Sequence, residues 1–169
     1  MASVKDEKKT ALDNALLELE KLYGKGTVIS SATKQNRCDV ISTGSIGLDL
    51  ATGIGGFPRG KIVEIMGWES SGKSTITLHT IANAQKQGIK CLLVDGENSF
   101  DKEYATALGV NVDDLLICQP SNGEEGYNVV EKLLSTGEIG LVVIDSQTSL
   151  LPKKVVDSEA GDSAIGVHS

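Results

Sequence analysis

Residues 67–74 read GWESSGKS. Two glycines flank four residues, and a lysine and a serine follow, which is the pattern G-x-x-x-x-G-K-[ST]. Gly67 and Gly72 let the backbone turn tightly around an anion. The N–H groups of Gly67, Trp68, Glu69, Ser70, Ser71, Gly72, Lys73, Ser74 and Thr75 can then converge on phosphate oxygens at the start of a helix. In such a loop Lys73 reaches the β- and γ-phosphates, and the Ser74 hydroxyl holds Mg²⁺. The plainer reading is a Gly/Ser-rich turn carrying a surface lysine. The flanks favour the nucleotide loop: GKIVEIM upstream has the length and apolarity of a strand, and TITLHTIANAQKQG downstream reads as a helix. That strand–loop–helix context is what the motif requires.

A phosphate loop of this kind needs a further acid on the metal side. GLVVIDS ends an apolar run on Asp145. In a parallel sheet the functional strand ends share one edge, which brings Asp145 towards Ser74 and Mg²⁺. A second run, CLLVDGENSFD, ends on Asp95 and places Glu97 just beyond it. Glu97 can orient and deprotonate an attacking water, with Asp95 as the next candidate. It can equally be a solvated loop acid or a charge at a helix start; the residue pattern leaves both open.

These groups need a scaffold, and the sequence supplies an alternating one. Strands are expected at 62–66, 91–95, 115–118 and 141–145, and helices at 73–87, 102–108 and 124–135. Gly88, Gly109 and Gly137 sit where those helices should stop, and Asp101 and Asn122 are candidate N-caps. Strand and helix alternating at this interval signal an α/β fold with a mainly parallel sheet flanked by helices. CLLVD and LVVID are apolar throughout, as central strands covered on both faces are. Ahead of this core, 8–23 forms a helix with Leu12, Ala15, Leu16, Leu19, Leu22 and Tyr23 on one face, ended by GKG at 24–26. The polar stretch 27–39 reads as a linker. Residues 1–39 are therefore expected to be a helix arm that docks on a neighbouring subunit, and 40–169 the core. The alternative is that the apolar face packs on its own domain.

Composition removes several classes. Apolar runs are strand-length, far below the roughly 20 residues of a membrane span. MASVKDEKKTALDN is not followed by the apolar region of a secretory leader, so a cytoplasmic protein is expected. Cys38, Cys91 and Cys118 form no CxxC pair, and Cys91 and Cys118 read as small core hydrophobes. His79 and His168 have no partner at ligand spacing. A net charge of −7 gives no overall attraction for nucleic acid. A small-molecule kinase would need an arginine-bearing lid, and the chain has only Arg37 and Arg59.

The ordered stretches ALDNALLELEKLYGKG, ISTGSIGLDLATGIGGFPRGKIVEI, GWESSGKST, LVDGENSFDKEYATALGV, LLICQPSNGEEGYNVVEKL and VVIDSQTSLLPK are more specific than any single motif. Across nearly its whole length the chain resembles the N-terminal half of the bacterial-type RecA recombinases. The resemblance implies a P-loop NTPase core and ATP with Mg²⁺ at subunit interfaces. It also implies self-association into filaments on single-stranded DNA, DNA-dependent ATP hydrolysis and homologous pairing in DNA damage repair and the SOS response. It places Glu97 at the water-activating position and Asp101 and Tyr104 at adenine-contacting positions, and it makes the N-terminal helix a subunit-docking arm. Trp68 departs from the usual proline, and DGENSFD replaces DAEHALD while keeping Glu97 and Asp101. The match reaches the start of the family's first DNA loop in DSEAGDSAIGVHS, where His168 and Ser169 leave the pattern. The second DNA loop, the γ-phosphate-sensing glutamine, further strands and the C-terminal domain have no counterpart in these 169 residues. Two readings follow: a recombinase-class ATPase, or a nucleotide-binding or filament-docking module without strand exchange. In either, weak DNA binding by these residues alone is expected.

Overall fold

The computed structural model describes residues 3–28 and 38–157, with only the backbone described for 3–10. The chain divides into two compact units, Met1–Arg37 and Cys38–Ser169. The first contains α1, Ser3–Tyr23, which begins earlier than its apolar spacing predicts. Leu12, Leu22 and Tyr23 of its apolar stripe are exposed.

In the second unit a three-stranded parallel sheet has the order β4–β3–β5, with β3 at Lys90–Asp95, β4 at Leu115–Cys118 and β5 at Ile139–Asp145. Cys91 to Val94 of β3 pair with Leu115 to Cys118, and Asp95 stands level with Asp145 across the other seam. Every β3 residue after Lys90 is buried, as an apolar strand with neighbours on both edges must be. Successive side chains point to opposite faces. Cys91 and Leu93 therefore pack with Leu78, Ile81, Ala82 and Ala84 of α3 (Lys73–Lys86), while Leu92 and Val94 pack with Leu150 and with Val130 and Leu133 of α5 (Gly123–Leu134). One helix thus covers each face.

The capping residues behave as their chemistry predicts. Asp101 Oδ1 accepts from the Tyr104 N–H at 3.0 Å and opens α4, Lys102–Ala107. Asn122 Oδ1 accepts from the Glu125 N–H at 2.9 Å and opens α5. Three further elements of this unit precede residue 67. A two-residue antiparallel ladder joins β1 (Val40–Ile41) to β2 (Phe57–Pro58), and between them lies α2 (Ile46–Ala51), capped by Ser45. The acid in α2 serves the structure rather than the site. Asp49 accepts from the Ser42 hydroxyl at 2.6 Å and from the Thr43 N–H and hydroxyl at 2.9 and 2.7 Å. The Ser42 bond leads in holding its carboxyl below the ordinary range against partial desolvation. After β5 come a 3₁₀ turn, Gln147–Ser149, and α6, Lys153–Val156.

One expected strand is corrected. Residues 62–66 form no ladder with any described strand. Ile62, Val63 and Met66 are exposed, Ile62 completely at 102%. Apolar, β-branched side chains favour a strand only when neighbours supply both backbone partners and a packed face, and among the described residues this run has neither. The described residues thus hold three parallel strands, and β5 is paired along one edge alone. No described helix is long and apolar enough to cross a membrane.

Candidate functional site

The phosphate loop leads directly into α3, whose first residue is Lys73. Gly72 is its N-cap at φ +93°, a left-handed conformation that glycine adopts without steric cost. At Gly67 a Cβ would lie 2.6 Å from the Ser71 hydroxyl oxygen, so a side chain there would require that hydroxyl to rotate away. Ser70 also takes a positive φ, 57°, and the Ser71 N–H closes the turn onto the Trp68 carbonyl at 3.2 Å. The Lys73 ammonium lies back over the loop, donating to the carbonyls of Gly67 at 3.1 Å and Trp68 at 3.0 Å. It is thus held at the loop by neutral acceptors rather than by a carboxylate, and a bound anion can compete for it. Trp68 is 90% exposed, so its ring lies in solvent rather than within the loop.

At the edge where β3 and β5 end, three acids take different roles. Asp95 is buried. Burial pushes its carboxyl up, but donation from the Gln119 amide and from the Ser99, Phe100 and Glu97 backbone outweighs that and holds it below the ordinary range. Gln119 Nε2 lies 2.9 Å from Oδ2, and the Ser99 and Phe100 N–H groups lie 3.0 and 3.1 Å from the two oxygens. Asp95 is therefore committed to shaping the turn that carries Glu97 and is a poor candidate for the base. Glu97 is exposed and accepts from the Ser146 hydroxyl at 2.8 Å. The Gly96 N–H donates to the Asp145 carbonyl at 3.0 Å and joins the two strand ends. Asp145 itself is half-buried. Among the described residues no hydrogen bond links it to Ser74.

The start of α4 reaches the first turn of α3. The Tyr104 and Thr75 hydroxyls lie 2.9 Å apart. Asp101 Oδ1 is spent on its helix cap, while Oδ2 has no hydrogen bond among the described residues.

The sequence matches the RecA N-terminal domain over residues 10–169. It is 46% identical to the protein RecA of Latilactobacillus sakei over 98% of this chain and 47% of that protein. Against the RecA proteins of Acidiphilium cryptum and Azospirillum lipoferum identity is 48% over 96% of this chain, covering 48% and 46% of theirs. The chain belongs to the RecA family.

It spans about half the length of the curated RecA relatives it matches. The RecA family fits the P-loop NTPase fold, in agreement with the parallel sheet and flanking helices. Sequence reasoning missed Gln119, Ser146 and Thr148, which surround the Asp95–Glu97 turn of this RecA-family chain. A usable signal existed for two of them. Gln119 directly follows β4 and Ser146 directly follows β5, and parallel strand ends share an edge.

Proposed function

We propose that this chain is the nucleotide-binding N-terminal portion of a RecA-type recombinase, a DNA-dependent ATPase that pairs single-stranded DNA with homologous duplex in repair. The observation that carries the reading is Lys73 and Ser74 at the head of α3, together with Glu97 just past β3 and Asp145 at the end of the adjacent strand β5. The loop's glycine geometry and its lysine, which has no ion pair among the described residues, suit a phosphate chain. The backbone N–H groups of 67–75 and the Lys73 ammonium would hold ATP phosphates. Ser74 and Asp145 would hold Mg²⁺, two protein oxygens being a usual complement for that ion. When bound, Mg²⁺ neutralises charge on the phosphate oxygens. Glu97 would orient the attacking water and accept its proton through a carboxylate oxygen. Tyr104 offers its ring face and Asp101 a carboxylate oxygen to an adenine. Residues 1–39 would be the subunit-docking arm and 40–169 the ATPase core, reaching the start of a DNA loop, in a cytoplasmic, filament-forming protein.

The test is nucleotide binding and turnover with Mg²⁺, with and without single-stranded DNA. Lys73→Ala should abolish binding, and Glu97→Gln should leave binding near the parental level and slow turnover sharply. Unchanged ATP–Mg²⁺ affinity in Lys73→Ala would remove the phosphate site from this loop. DNA-stimulated turnover separates the recombinase reading from a module that only holds nucleotide.

A further inference from the structure

Ser146 stands between two groups. Its hydroxyl is 2.8 Å from Glu97 Oε1 and 3.0 Å from the Thr148 hydroxyl. An ionised carboxylate can only accept, and a hydroxyl has one proton to give. The Ser146 proton is therefore committed to Glu97, and the proton in the second bond comes from Thr148. The three side chains form a directed chain, Thr148 to Ser146 to Glu97. The turn beneath it is fixed independently: the Ser149 hydroxyl and N–H both donate to the Ser146 carbonyl, at 2.6 and 3.2 Å. Thr148 is exposed, and among the described residues its side chain bonds to Ser146 alone.

We propose that Thr148 is a positioning residue which, through Ser146, holds Oε1 of Glu97 and leaves Oε2 as the oxygen that meets the water. This rests on Glu97 being the water-activating acid. Asp95 and Gln119 set the backbone of the Glu97 turn, and the hydroxyl pair sets the direction of its side chain. A carboxylate on a solvated turn otherwise samples several rotamers, and each misdirected rotamer is inactive towards water placed by the phosphate loop.

The experiment uses the 169-residue chain with ¹³C-labelled glutamate and needs no turnover for its first readout. Three-bond couplings of the Glu97 side chain, assigned by comparison with Glu97→Gln, report its rotamer. One dominant rotamer is expected in the parent and in Thr148→Ser, with averaging in Thr148→Val and Ser146→Ala. The same single rotamer in all four proteins overturns the proposal, as does Thr148→Ser behaving like Thr148→Val. In ATP turnover, Thr148→Val should lower kcat by roughly two- to tenfold, the range expected from one lost hydrogen bond, with KM unchanged and Thr148→Ser near the parent. A rise in KM at constant kcat overturns it. If Glu97→Gln retains full turnover while the rotamer pattern holds, the hydroxyl chain stands and the assignment of Glu97 as base falls.

Discussion

The hydroxyls of Tyr104 and Thr75 are hydrogen-bonded at 2.9 Å across 29 positions of sequence. One belongs to α4 and the other to the first turn of α3, directly behind the phosphate loop. The bond ties the Tyr104 ring to the first turn of α3, so under the proposed function an adenine stacked on that ring would stand at a set distance from phosphates held in the loop.

Removing this tether should weaken nucleotide binding without unfolding the chain. Tyr104→Phe keeps the ring and loses the bond. Its affinity for ATP–Mg²⁺ should fall roughly two- to tenfold, as one net hydrogen bond implies. Thr75→Val should match it, and the double variant should be little worse than either. Calorimetric titration checks this; additive losses would mean that the two hydroxyls act separately.

Asp95 and Gln119 predict a stability effect that depends on pH. Asp95→Asn keeps one acceptor oxygen and turns the other into an NH2 donor, which must face either the Ser99 N–H or the Phe100 N–H and Gln119 amide, and should cost about 1–3 kcal/mol at neutral pH. The Asp95 carboxyl titrates lower in the folded chain than its ordinary value near 4. A depressed folded value contributes stability that is complete above that ordinary value and is lost as pH falls through the folded one. The gap between parent and Asp95→Asn in chemical denaturation should therefore narrow as the medium is made more acidic than about pH 4.

The thiols should separate by exposure. Burial pushes Cys91 up to about 11. Burial, helped by the Glu125 charge, raises Cys118 as well. Cys38 is exposed. Near pH 8 a thiol reagent should modify Cys38 first, Cys118 slowly and Cys91 only on unfolding, because the thiolate is the reactive form. Mass spectrometry of timed, quenched samples reads the order.

The parts legible in the sequence are those whose cause is local. CLLV ahead of Asp95 declares a covered strand because all four residues are apolar, whereas only Val143 of the similar run LVVI is buried, β5 being paired on one edge alone. Asp101 and Asn122 declare helix starts because a short acceptor must precede the first free N–H groups. The run at 62–66 misled because its composition is strand-like while a strand is a pairing, and no described strand pairs with it. Asp95 was legible as a strand-end acid but not as a structural one. What commits it is Gln119, 24 positions away. The same holds for Glu97 and Ser146, 49 positions apart. Such contacts are set by the sheet order β4–β3–β5, which the alternation of elements implies only as a class.

The N-terminal helix carries the last prediction. Leu12, Leu22 and Tyr23 of α1 are not buried by anything within their own unit, so the stripe that sequence periodicity assigns to packing needs a surface outside that unit. The core unit beginning at Cys38 has its own buried clusters around Ile81, Leu92 and Val94. An exposed apolar helix face is suited to covering a neighbour, as in the helix-in-groove mode of recognition. Deleting residues 1–26 should then lower the mass found by sedimentation equilibrium while leaving Tm almost unchanged. Leu12→Ser with Leu22→Ser should reproduce the loss of association with the helix still present. If the full chain is already monomeric and deletion lowers Tm by several degrees, the helix packs on its own core and the docking role fails.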